Sequence, residues 1–187
     1  LAKTQATDFV LPTHWDESLD GGFLQSISKT KVHRLDGLHG HVHLRPSMRP
    51  TSVSDPPRIM VRLLKGGGIH DDEEITEIPK AVFDGLLVSK ADEDQYEGKA
   101  WLLDREAGAH DGVITQSTTL ASEAVLLGVP TLLVSNAQRG FLDVLTKSKL
   151  LIRNNFPAFK ELLNQPEVSD SEWPNTRQQL AQIIENL

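Results

Sequence analysis

The chain has 187 residues, 39% hydrophobic and 24% charged, with no cysteine and a formal net charge of −7. That length suits one domain, or one plus part of another, and a core of that size needs no disulfide or metal staple. The missing cysteine excludes thiolate chemistry, Cys-based zinc sites and iron–sulfur clusters, and the acidic balance argues against broad electrostatic binding to nucleic acid or an anionic membrane. No apolar run approaches membrane-spanning length, and the start lacks the basic and apolar regions of a signal peptide. These features leave secretion open, and the location expected is cytoplasmic. The first residue is Leu1 rather than Met. The chain therefore reads as a fragment, a processed form or a trimmed piece of a longer protein.

In chain order, Asp8 to Pro12 reads as a short strand ended by proline, and Lys31 to Leu35 as another before a turn at Asp36-Gly37. Arg45-Pro46 through Pro56-Pro57 has neither helical nor alternating period and reads as a linker. From Arg58 the pattern becomes alternating strand and helix signals, which predicts an α/β fold: a Rossmann-like parallel sheet with helices on both faces. Its strands are expected at Arg58–Leu64, leading into Gly66-Gly67-Gly68, and at Leu86–Ser89. Helical composition runs from Glu73 to Asp84, interrupted by Pro79, and from Lys99 to Ala109. The clearest unit follows: Gly112–Thr115 as strand, Ser117 as cap, Thr118–Leu127 as helix, Gly128 as stop and Val129–Val134 as the next strand. Phe141–Thr146 is a further helix, Lys149–Ile152 an edge strand, and Phe156–Leu163 and Trp173–Leu187 are terminal helices. The resulting division is 1–50 as the remnant of a preceding domain with its linker, and 51–187 as the Rossmann-like domain.

In an open parallel sheet, ligands settle beyond the carboxyl ends of the strands, where backbone N–H groups at helix starts point outward. Gln116-Ser117-Thr118-Thr119 occupies such a place. Unpaired amides, the positive end of the helix dipole and the hydroxyls would cradle a phosphate or diphosphate. Glu123 follows Thr119 by one helical turn on the same face, where its carboxylate would accept hydrogen bonds from a sugar diol. The same spacing also fits a serine that caps its helix and a glutamate that faces solvent.

The segment Ala109 to Ala124, continued by Leu127-Gly128-Val129-Pro130-Thr131, resembles the nucleotide-sugar-binding segment in the C-terminal domain of GT-B glycosyltransferases and UDP-N-acetylglucosamine 2-epimerases. More closely, it is similar to the DUF354 family of bacterial and archaeal GT-B-like proteins. Further landmarks of that family are matched in order by Gly37–Leu44, by Val61-Arg62 and by Arg139–Leu145, and the likeness runs from about Ala6 to Glu161. The resemblance implies the C-terminal half of a GT-B fold whose donor, a UDP-sugar, is a substrate and not a cofactor. It assigns Ser117, Thr118 and Thr119 to the donor phosphates and Glu123 to the ribose. Gly66, Gly67 and Gly68, with His70 after them, would line the cleft near the diphosphate, and Arg139 would offer its fork to a phosphate or carboxylate. No Gly-Lys-Ser/Thr follows the glycines, so they are no Walker loop. The implied partners are a nucleotide-sugar, an N-terminal Rossmann-like domain and a second copy of the chain; nucleic acid and a transmembrane segment are not expected. The acceptor site and the base of an inverting transferase belong mostly to the other half, so no catalytic residue is assigned. A 2-epimerase-like isomerase and a non-catalytic nucleotide-binding or interaction domain stay open as alternatives.

His39, His41 and His43 alternate, which on an extended strand would put all three on one side, within reach of one divalent metal. Gly37 and Gly40 bend the segment and no carboxylate partner is evident for the three rings, so no metal site is assigned. Asp71-Asp72-Glu73-Glu74 reads as carboxylates complementing a helix dipole. Leu180, Ile183, Ile184 and Leu187 form one apolar stripe, so the last helix must dock on the core, on the other domain or on a second copy.

Overall fold

The computed structural model describes residues 6–27, 30–45, 53–66, 77–164 and 173–187. Gly67, Gly68, His70, the acidic run 71–74 and most of the proline-rich linker lie outside them.

Two parallel sheets organise the chain. β1 (Asp8–Pro12) and β2 (Lys31–Leu35) pair in one, joined by a 3-10 turn at Glu17–Leu19 and the short helix α1 (Phe23–Ser26). Asp20 fixes this crossover: its carboxylate accepts the N–H groups of Gly22, Phe23 and Leu24 and the indole N–H of Trp15, and these bonds hold its pKa below the usual carboxylate range. A helical turn, α2 (Gly40–His43), follows β2.

The second sheet has five parallel strands. They are β3 (Arg58–Arg62), β4 (Leu87–Lys90), β5 (Gly112–Thr115), β6 (Thr131–Leu133) and β7 (Leu151–Arg153), in the spatial order β4-β3-β5-β6-β7. The chain steps outward from β3 to β4, then returns past β3 to β5 and continues to β6 and β7. The reversal between β3 and β5 is the switch point at which ligands bind in such sheets. Between these strands run α3 (Leu103–Gly108), α4 (Thr118–Leu126) and α5 (Gly140–Thr146), followed by α6 (Phe156–Asn164) and α7 (Thr176–Glu185).

The central strands β5 and β6 are buried along their whole length, and β3 in its middle, because both faces of the sheet are covered there. Met60, Val113 and Leu133 point to the side of α3, α4 and α5, while Ile59, Val61, Ile114, Leu132 and Val134 meet Phe159 and Leu163 of α6. Rossmann-like α/β architecture with helices on both faces is thus the observed fold. Gly112 admits the close approach of α6: a Cβ there would lie 2.7 Å from Leu163 Cδ2 and 3.1 Å from Phe159 Cζ. At the amino end of the sheet, Asp111 accepts the Arg58 N–H at 2.8 Å. Burial raises its pKa, but the Arg58 and Ser54 hydrogen bonds outweigh that and hold it below the ordinary value.

Three expectations change. Gly40–His43 is helical with His39 as its N-cap, so His39 and His43 share one face and His41 points elsewhere; the alternation that an extended strand would give does not arise at 3.6 residues per turn. The expected helix up to Asp84 is, in its described part, irregular at 77–79 and a 3-10 turn at Lys80–Phe83, since Pro79 cannot donate to a helical ladder. The final helix starts at Thr176, after Pro174, and docks on the first segment rather than on the five-stranded sheet. There Thr176 Oγ1 donates to Asp36 O at 2.6 Å, Gln179 accepts the Asp36 N–H, and Arg177 donates to Val42 O and Leu44 O. Ile184 and Leu187 of the apolar stripe stay exposed. Among the described residues no helix is long and apolar enough to cross a membrane.

Candidate functional site

The unit from β5 through α4 to β6 builds the centre of the site. Ser117 has extended backbone and its Oγ accepts the Leu120 N–H at 3.3 Å, capping α4. Its own N–H donates to Thr115 Oγ1 at 3.0 Å. The next two amides, of Thr118 and Thr119, precede the first intrahelical bond, which Ala121 N–H makes to Ser117 O. Neither finds an acceptor among the described residues, so two donors and the positive helix end face outward beside the switch point. Gly128, at φ +82°, ends the helix with its N–H on Val125 O, and β6 follows.

Gln116 does different work. It is buried, and its side-chain oxygen accepts the Leu64 N–H at 3.0 Å, tying the loop after β3 to the end of β5. From the other side, Asp92 accepts the Leu63 N–H and Glu93 the Lys65 N–H, both at 3.1 Å. The loop therefore leaves β3 along a fixed track as far as Gly66, which has φ +81° and, among the described residues, nothing within 4 Å of where a Cβ would stand.

Glu123 lies on α4 one turn beyond Thr119, and its Oε1 is 3.0 Å from His43 Nε2 of α2. The Glu123 side chain is 18% exposed and that of His43 42%, so the pair sits at a half-sheltered surface. Gly40 makes this contact possible, because a Cβ at that position would come within 2.6 Å of Leu126 Cδ1 on α4. His39 packs against His43 in a tilted contact, with ring centroids 5.3 Å apart. His41 turns away, accepting the Leu38 N–H on Nδ1 at 2.8 Å and packing edge-on against Trp173. Burial pulls the pKa of His41 below the usual imidazole value, and nearby His14, itself lowered by burial, adds to this. Among the described residues no group of three or more His, Asp or Glu side chains is arranged to hold a metal ion.

Arg139 stands at the start of α5, beyond the carboxyl end of β6, with Nη1 donating to Gln138 O at 2.8 Å. Gly140 beside it is in close contact with the loop after β1, since a Cβ would lie 2.9 Å from Asp16 Cβ and 3.0 Å from His14 O. The carboxyl-end loops of both sheets thus converge: β1 leads to the tip of α5, and β2 leads through α2 to the flank of α4.

Two site residues escaped the sequence reading. His43 is one: in the sequence it stands only as a candidate metal ligand beside His39 and His41, and nothing local links it to Glu123, 80 residues on. Arg62 is the other: it ends β3 opposite Thr115, donates from Nη1 to Ala91 O at 2.8 Å and lies over the Tyr96 ring at 5.9 Å from its centroid. Tyr96 donates to Glu106 at 2.7 Å, and its pKa is raised by burial first and by Glu106 second, so it stays a neutral donor beneath the guanidinium. An arginine ending a strand at the switch point was the signal available.

No protein-family model matches the chain, and no curated protein matches it. Among solved structures, the crystal structure of the glycosyltransferase SnogD from Streptomyces nogalater is similar at 16% identity, over 99% of this chain and 68% of that one, with a TM-score of 0.47. A likeness of that degree says nothing about ligand or reaction. The fold assignment rests on strand order and packing.

Proposed function

We propose that the chain carries the nucleotide-diphosphate-sugar-binding domain of a GT-B-like glycosyltransferase, with a uridine nucleotide as donor. The observation that carries this reading is the convergence of the carboxyl ends of two separate parallel sheets on α4 and α5, since ligands of open α/β sheets bind at those ends. The diphosphate lies on the Thr118 and Thr119 amides at the tip of α4, with the Gly66 loop beside it, and the ribose diol reaches Glu123 one turn along. Backbone amides suit a diphosphate on an acidic protein because they need no large basic patch. Residues 1–50 form the tail of a first Rossmann-like unit, for which the pair β1 and β2 and the docking of α7 speak, and 51–187 form the second. The ordered landmarks shared with DUF354 proteins support the same reading.

Calorimetric titration of the folded chain with UDP and UDP-sugars tests it. Binding is expected, and Glu123→Ala is expected to weaken it about tenfold, the worth of hydrogen bonds from a diol to a charged acceptor. A folded sample that gives no binding heat, or an unchanged affinity in Glu123→Ala, would refute the proposal.

A further inference from the structure

We infer that His43 is a positioning residue of the nucleotide site, holding the Glu123 carboxylate in the orientation that receives the ribose diol; this rests on the nucleotide reading above. A free glutamate on a helix surface samples many rotamers, and fixing it costs side-chain entropy at the moment of binding. Here one oxygen is already tethered, Oε1 to His43 Nε2 at 3.0 Å, while Oε2 meets no partner among the described residues and is left for the ligand. The tether comes from an anchored element. Gly40 lets α2 close on Leu126 of α4, Arg177 of the last helix donates to Val42 O at 2.8 Å and to Leu44 O at 3.2 Å, and the His39 ring packs at a tilt against His43. Through α2 the last helix is thereby linked to Glu123. A stabilising role alone would not demand this arrangement, because an ion pair at a half-sheltered surface adds little to folding.

The test pairs two ligands with two variants of the full chain. UDP presents the diol, and 2′,3′-dideoxyuridine 5′-diphosphate lacks it. His43→Ala is expected to weaken UDP about fivefold to tenfold and to leave the dideoxy ligand unchanged, the effect expected when a carboxylate loses its aim. His43→Gln, which keeps an N–H donor at that place, is expected to stay within about twofold of wild type. Adding His43→Ala to Glu123→Ala should cost nothing further, because the two act as one unit. Equal weakening of both ligands, no change with UDP, or a glutamine variant as weak as the alanine one would overturn the inference while leaving the nucleotide reading in place. Failure of wild type to bind UDP would overturn both.

Discussion

Gly112→Ala perturbs a close-packed place in the core, where β5 passes under α6. The new methyl would lie 2.7 Å from Leu163 Cδ2, 3.1 Å from Ile59 Cδ1 and 3.1 Å from Phe159 Cζ. Carbon pairs rest at about 3.5–4.0 Å, so the first contact is short by about 0.8 Å, and all three neighbours are buried with nowhere to retreat. Overpacking of this kind costs about 1–3 kcal/mol, and the reduced freedom of alanine in the unfolded chain returns about 0.4–1 kcal/mol. A net loss of about 1–2 kcal/mol is expected, read as a lower urea midpoint at unchanged slope in tryptophan fluorescence. Leu163→Ala alone should cost about 2–5 kcal/mol, but the double variant should lose at least about 1 kcal/mol less than the sum, since the methyl added by Gly112→Ala fills part of the space that Leu163 leaves. A midpoint for Gly112→Ala equal to or above wild type, or strict additivity with Leu163→Ala, would refute the packing argument.

Stability should fall between about pH 7.5 and pH 5.5. Burial holds His14 and His41 below the usual imidazole value of about 6.5, so the unfolded chain takes up protons first, and the stability they confer is full above that pH and lost as pH drops through it. The urea midpoint should be lower at the acid end, and His41→Gln should shrink the difference; a flat profile would count against it. The lowered carboxyls of Asp8, Asp16, Asp20 and Asp111 act in the same direction but at lower pH, outside that window. Ser117→Ala removes the cap of α4 and should cost about 1 kcal/mol by the same assay, whereas an unchanged midpoint would mean that the Leu120 N–H finds another acceptor.

The strand–helix–strand unit from Gly112 to Leu133 was legible because its signals are local. Two apolar residues between a glycine and a threonine, a capping serine, a nine-residue helix and a glycine at positive φ each act within a few residues. The alternating elements from Arg58 onward were legible for the same reason, and they sufficed to place Ser117, Thr118, Thr119 and Glu123 at one end of a parallel sheet. The histidines at 39, 41 and 43 were not legible. Their spacing is strand-like, but Gly40 makes room for a close helix-to-helix approach that no local rule contains.

The sequence by itself determined the fold class, the order of elements in the central unit and the helix face that Glu123 shares with Thr119, since periodicity and capping act through neighbouring residues. Tertiary structure alone decided that Gln116 braces a loop, that Glu123 meets His43, that Arg62 ends its strand at the switch point and that the last helix straps the first segment. Each of those contacts joins residues far apart in the chain, and their geometry exists only after the two sheets and α7 have packed.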